Sequence, residues 1–302
     1  MKALSNIGNL HRLLEVEKRR RGVDIGKLVF IGMADTASFT WCAMKSLLTT
    51  IEMEPHFFAS YLHDRLLYTL KLGHVKKLPK TEKEILLVGD QIAFDDVERL
   101  LKDSEKEDLG KPPSSIAFSV HTPEGIVKLV AINPSISPEQ KEKIVRLAEK
   151  RHAKVVNLED APPKFRGEIC QEFLAERYHT IRWNFEWENY VVVGVPDGIT
   201  SEFVYEFKTT GSEFLLGHMD HSALAQADLY GYFFKRRCKR VQIYIMDEKE
   251  TVTWHEDVDE AKAVDLLTEF KKLVETSEAV PPQEKWKCKS CEFRKTCQIK
   301  ST

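Results

Sequence analysis

The spacing Cys288-x2-Cys291-x5-Cys297 is what most narrows the folds open to this chain. Three cysteines within ten residues ask for a metal, and only QIKST follows them. A fourth ligand has to come from elsewhere. Cys42, in SFTWCAMKSLL, is the candidate, 246 residues before Cys288. The remaining two, Cys170 and Cys238, sit on apolar faces near helix ends and read as buried structural thiols. Four thiolates hold either Zn²⁺ or an iron–sulfur cluster. A four-cysteine zinc ribbon supplies two close pairs, so one triplet plus one distant cysteine suits a [4Fe–4S] cluster better. Either group would clamp the start of the chain to its end. Lys285, Trp286, Lys287, Lys289, Phe293, Arg294 and Lys295 surround the cysteines. Basic residues interleaved with aromatics can track a nucleic-acid strand, and they can equally be a solvated basic tail.

At 302 residues the chain is long enough for about two domains, at roughly 150 residues each. Its hydrophobic share of 42% argues against disorder. No stretch reaches the ~18 continuous apolar residues of a membrane span. Met1 leads into a polar run with no signal-peptide core, which reads as a cytoplasmic chain. The net charge of −2 excludes a globally basic coat, so any contact with DNA must rest on local patches. Asn and Gln are scarce while Lys and Glu are abundant, a balance that leans towards a thermophile.

Apolar periodicity predicts helices over residues 1–20 and 38–72, the second split by Pro55 and stopped at Gly73. Residues 75–165 change character. ILLVG (85–89) reads as a strand, 115–120 and 125–132 as a hairpin, 138–152 as a charged helix and 154–158 as a strand. From 166 the order is helix (167–179), strand (189–199), strand (203–210), helix (213–237), strand (241–247) and helix (256–278). The expectation is an α/β protein. Its parts are an N-terminal helical region (1–74) supplying one cysteine, an insertion or accessory lobe (75–165), a core (166–280) and a C-terminal cysteine motif (281–302).

Asp197 follows an apolar strand in GVPDGI, and Glu206-Phe207-Lys208 begins nine residues later. Strand side chains alternate, so Glu206 and Lys208 share a face. A hairpin can bring Asp197 beside Glu206, and two carboxylates bind a hard cation such as Mg²⁺ or Mn²⁺. Such a cation activates water and neutralises charge on a phosphate under attack. Lys208 could orient the water or stabilise developing negative charge. Taken alone, Asp-Gly is ordinary turn chemistry and E-x-K an ordinary charge pair on an exposed strand. On the next helix Gln226 and Tyr230 are four apart and so share a face. They suit contact with a phosphate or base, or a surface helix with a partly buried Tyr.

These parts resemble a known family. PD, then E-x-K, then Q-x3-Y resembles the RecB-type nucleases of the PD-(D/E)xK superfamily. With WCxxK upstream and CxxCxxxxxC at the end, the chain resembles the CRISPR-associated Cas-four family. Related arrangements occur in AddB-type repair nucleases. The motifs span 41–45 and 167–297 and leave 75–165 unaccounted for. The resemblance implies a RecB-like core, a central mixed sheet flanked by helices. It implies Asp197, Glu206 and the Phe207 carbonyl as ligands of Mn²⁺ or Mg²⁺. Lys208 would be the catalytic lysine, with Gln226 and Tyr230 as an auxiliary catalytic motif that positions substrate. Cys42, Cys288, Cys291 and Cys297 would hold a [4Fe–4S] cluster. The implied partners are single-stranded DNA or DNA ends and the CRISPR integrase, with a homo-oligomer also compatible. There is one departure. The family's first nuclease motif resembles G-x3-H, and here the run from Gly167 places Gln171 at the histidine. A Gln oxygen is a weaker, neutral ligand. His179, Glu172 and Glu176 are other candidates nearby.

The leading expectation is therefore a metal-dependent deoxyribonuclease, an exonuclease on single-stranded ends acting in CRISPR spacer acquisition or DNA repair. Gln171 motivates an alternative, a non-catalytic DNA-end-binding adaptor on the same fold. A third reading is a zinc-stabilised structural protein with no nucleic-acid role.

Overall fold

The computed structural model describes residues 29–70, 78–79, 84–86, 99, 101–102, 109–282, 284–289 and 291–297. In chain order the elements are β1 (Val29–Gly32), α1 (Met33–Ala37), α2 (Ala43–Leu70), β2 (Leu78–Pro79), β3 (Glu84–Leu86), β4 (Ser115–Thr122) and β5 (Gly125–Ile132). Then come α3 (Pro138–Lys150), β6 (Lys154–Val156), α4 (Pro163–Leu174), β7 (Thr180–Ile181), β8 (Trp183–Trp187), β9 (Tyr190–Gly194) and β10 (Gly198–Ile199). The last are β11 (Phe203–Thr210), α5 (Glu213–Phe234), β12 (Cys238–Ile245), β13 (Glu250–Asp257), α6 (Glu260–Thr276) and α7 (Lys285–Lys289), with 3₁₀ turns at Ser38–Thr40 and Glu292–Lys295.

The protein is α/β, with mixed sheets flanked by helices. Among the described residues the strands form four small sheets, β1-β9-β8, β10-β11-β12-β13, β2-β3-β7 and β4-β5-β6, rather than the single central sheet expected. Each sheet contains one parallel pairing: β1 with β9, β11 with β12, β3 with β7 and β5 with β6.

Local signals explain several elements. Ser137 caps α3 in a reciprocal capping box with Gln140, and Pro138 occupies the first turn. Exposed pairs Glu139–Lys143 and Glu142–Arg146 add i,i+4 support. Asp259 caps α6 by accepting from the Lys262 amide at 2.9 Å.

Other expectations need correction. The region read as helical before residue 75 contains the strand β1, whose pairing with β9 ties it to the core. Helix α2 runs through Pro55 without a break. Pro55 is buried and α2 packs on β1, which outweighs the one missing N–H. Helix α4 ends at Leu174, not near 179. The Glu176 amide donates to the Tyr205 hydroxyl at 3.0 Å, and its carboxylate takes Arg240 and Gln242, so tertiary partners draw the chain out of the helix. Strand β13 falls where no strand was expected. The expected helix over 1–20, the stop at Gly73 and residues 87–89 of ILLVG lie outside the described residues.

Two hydrophobic clusters lie on opposite faces of β11 and β12. One face, with Val204, Val241 and Ile243, packs beneath α5 and α6 with Phe234, Leu267 and Phe270. The other, with Tyr205, Phe207 and Tyr244, meets Ile169, Cys170 and Phe173 of α4. Ala131, Ile116, Phe118 and Val156, from the β4-β5-β6 sheet, join this second cluster, so that part of the 75–165 segment shares a core with α4.

Helix α5 approaches the turn into α6 so closely that a Cβ on Gly231 would meet Val258 Cγ2 at 2.2 Å. We expect Gly231→Ala to destabilise the fold by about 1–3 kcal/mol, the usual range for overpacking, as measured by urea unfolding.

Candidate active site and cysteine pocket

Strand β11 is covered on both faces, by α5 on one and α4 on the other. The alternation that puts Glu206 and Lys208 on one face therefore turns them under α5, not into water. Glu206 is 1% exposed, and the Lys208 ammonium is ion-paired to its Oε1 while its side chain stays 32% exposed. The exposed-strand reading of E-x-K is thus overturned.

Asp197 sits between β9 and β10. The β10–β11 pairing sets Gly198 opposite Tyr205, and Asp197 Oδ2 accepts the Phe207 amide at 2.8 Å. The glycine after Asp197 has a packing reason beyond turn chemistry: a Cβ there would lie 2.5 Å from Tyr178 Cβ. The Phe207 side chain points into the α4-side core, on the face of the strand opposite Glu206.

Burial first, then the Asp197 charge, push Glu206 up to about 8, against the opposing pull of Lys208. Burial alone would lower Lys208, but Glu206 and Asp197 outweigh it and the net shift is upward. The site is a desolvated Glu206 with the Lys208 ammonium paired to it and the half-buried Asp197 beside it.

Gln171, on α4, reaches this centre. Its Nε2 donates to Asp197 Oδ1 at 2.6 Å. A cleft beside Asp197 is lined by Gln171, Glu172, Glu176, Tyr178, Thr180 and Tyr205. Glu176 is committed to Arg240 and Gln242. His179 lies beyond the end of α4, buried, with its carbonyl accepting the Ile199 amide at 2.8 Å, and it does not line the cleft.

Gln226 and Tyr230 are also brought to the centre, yet both are buried, not on a surface helix. Gln226 Nε2 donates to the Tyr230 hydroxyl, which donates to the Val195 carbonyl, both at 2.9 Å. Burial drives the Tyr230 hydroxyl far above its ordinary range, with Glu206 and Asp197 adding to the effect. The pair braces the segment that leads into Asp197.

The second constellation joins the ends of the described chain. Cys42 stands at the head of α2, its carbonyl accepting from the Ser46 amide. Cys288 lies on α7, and Cys291 and Cys297 flank the 3₁₀ turn at 292–295. All four line one pocket with Trp41, Met44, Leu48 and Phe293. Burial raises the Cys42 thiol, and Cys288 and Cys291 raise it further. Lys45 and Glu292 pair across the seam at 3.2 Å, and Lys287 lies 4.7 Å from the Trp41 ring centroid. Cys170 and Cys238 are buried elsewhere, as expected of structural thiols.

Asp197 and Glu206 suit Mg²⁺ or Mn²⁺, which keep several waters and need few protein carboxylates. The Gln171 amide, turned over, would offer its oxygen at the same place. A four-thiolate group, if bound, would be held by the four half-buried cysteines around one pocket, with Lys287 and Arg294 beside them. Among the described residues no group of three or more His, Cys, Asp or Glu has the arrangement to hold a single metal ion. Nor is any described helix long and apolar enough to cross a membrane.

No protein-family model matches the chain, and no curated protein matches it. Among solved structures, "Crystal structure of SSO0001" is 22% identical at a TM-score of 0.35, covering 54% of this chain and 81% of that one. A similarity at that level carries no argument about fold or function.

The shift at Glu206 has a consequence for stability. Its folded pKa of about 8 lies above the ordinary 4.5, so between those values the cation-free fold holds a proton that the unfolded chain has released. Stability of protein kept in a chelator should therefore fall as pH rises from 5 to about 8. In Glu206→Gln this contribution should be absent, and the thermal midpoint should stay level between pH 5 and 8 where the parent's falls. Calorimetry across that pH range checks both.

Proposed function

We propose that this chain is a metal-dependent DNA nuclease that acts on single-stranded ends, in CRISPR spacer acquisition or DNA repair, with a [4Fe–4S] cluster joining its ends. The observation that carries the reading is the buried Glu206 beside Asp197 on one hairpin, with Lys208 paired to it. Leaving Glu206 desolvated beside a second carboxylate is costly unless a cation is to be shared between them. The order of motifs, from WCxxK through PD, E-x-K and Q-x3-Y to the cysteine triplet, adds the substrate class.

On this reading Asp197 and Glu206 hold Mn²⁺ or Mg²⁺, with the Phe207 carbonyl and Gln171 as further oxygen donors. The cation, when bound, supplies charge neutralisation at the scissile phosphate and lowers the pKa of water there. Lys208 is tethered at Glu206, with 32% of its side chain exposed. It can orient the attacking water and stabilise the negative charge that grows on phosphate oxygens. The Phe207 amide holds one Asp197 oxygen in place, and the Gln226–Tyr230 brace holds the approach to it.

A second reading is favoured by one contact. The Gln171 amide already occupies Asp197 Oδ1, where the family resemblance expects a histidine. A DNA-end-binding adaptor would keep that contact and never cleave.

Degradation of end-labelled single-stranded DNA in Mn²⁺, by protein purified without oxygen, separates the two. Asp197→Ala and Lys208→Ala should each lower the rate by about 10²-fold or more. Equal cleavage by parent and variants would remove the assignment, and no cleavage by the parent would favour the adaptor. The parent should be brown, with a broad visible absorption band and about four irons per chain, and Cys42→Ser should lose both. A colourless parent containing zinc would replace the cluster by a zinc site.

A further inference from the structure

Beside the cysteine pocket, four rings from three parts of the chain gather into one patch. Trp286 of α7 lies 5.5 Å from Trp41, 5.3 Å from His218 and 6.0 Å from Phe214, centroid to centroid. His218 and Phe214, one turn apart on α5, are 5.6 Å from each other. Trp41, His218 and Trp286 are half-buried and have a packing role. Phe214 does not share it. At 69% exposed it puts most of an apolar ring in water, which interior packing does not explain.

The surroundings are positive in a chain whose net charge is −2. Lys285 and Lys289 are exposed, one turn apart on α7, and Arg294 and Lys295 are exposed on the following turn. Of the nearby carboxylates, Glu284 is paired with Lys287 at 3.2 Å and Glu292 with Lys45 at 3.2 Å. Glu213, at the start of α5, is exposed as well. Exposed rings set among cations complement a strand that carries bases and phosphates.

The patch is also close to the candidate active site along the chain. Phe214 follows Lys208 by six residues, a span of at most about 20 Å. A strand engaged at Lys208 would reach Phe214 within a few nucleotides.

We propose that Phe214, backed by Trp286 and His218, is a stacking step for one base of a single-stranded DNA, with Lys285 and Lys289 holding the flanking phosphates. The proposal rests on the reading of this chain as one that handles single-stranded DNA. It adds a binding subsite separate from Asp197, Glu206 and Lys208. Base stacking is sequence-tolerant, so the subsite would not select a sequence.

The test is binding of a labelled oligothymidylate to the full chain, with its cysteine-bound group intact, followed by fluorescence anisotropy in a chelator so that no cleavage occurs. Phe214→Ala should raise Kd by about 5–100-fold, the range of one lost base stack, and Phe214→Trp should restore it. The salt dependence should be unchanged in Phe214→Ala and shallower in Lys285→Ala/Lys289→Ala, because only the lysines release counterions. An oligomer of abasic residues should bind parent and Phe214→Ala alike. Equal Kd for parent and Phe214→Ala on oligothymidylate would overturn the stacking step and turn the patch into a surface for a protein partner. Absence of binding by the parent would overturn it as well. A parent that binds through Phe214 yet never cleaves in Mn²⁺ would sustain this subsite while removing the nuclease reading, so the two fail separately.

Discussion

The centre of the molecule depends on one constraint, the covering of β11 by helices on both faces. A strand with one wet face could carry Glu206 and Lys208 as an ordinary surface pair worth little. Under α5 the same two residues become a desolvated carboxylate and its counter-charge, and Asp197 joins them through the Phe207 amide. Burial is the largest cause of the upward shift of Glu206, and the neighbouring carboxylate the second.

Helix α5 links this centre to the rest of the chain. Its later turns bring Gln226 and Tyr230 against the Val195 carbonyl, behind Asp197. Its first turns bring Phe214 and His218 to Trp286 and Trp41, beside the four cysteines. Its middle touches the N-terminal elements, where Ser222 donates to the Ala37 carbonyl. One helix therefore spans the distance between the carboxylates and the seam where the start and end of the described chain meet. A group bound by the cysteines would hold that seam closed and keep Trp41 and Trp286 in register.

Much of the site was legible in the sequence because its signals are local. PD followed by E-x-K within one hairpin needs only strand alternation to place two carboxylates and a lysine together. The cysteine spacing makes a shared ligand the expectation, with Cys42 as the fourth thiolate. What stayed hidden involves partners far away in sequence. The end of α4 is set by Tyr205 and Arg240, the need for Gly198 by Tyr178, and the burial of Gln226 by its place under the Asp197 segment. Strand β1 has a short apolar run of its own, but its role comes from pairing with β9, about 160 residues later. Phe214 gives no sequence signal, because an aromatic on an apolar helix reads as core until its exposure is seen.

The residue types and their spacing by themselves determined which atoms could do chemistry: two carboxylates and a lysine on one hairpin, a Gln–Tyr pair four apart, and a cysteine triplet in need of a fourth. The tertiary structure decided their states. It buried Glu206, left Lys208 partly exposed, turned Gln226 and Tyr230 inward, set Gln171 on Asp197 and gathered four cysteines around one pocket. The physical reason is that spacing along a strand or helix fixes only which face a side chain shares. Whether that face meets water, a helix or another charge depends on elements packed from elsewhere, and that packing sets solvation and pKa.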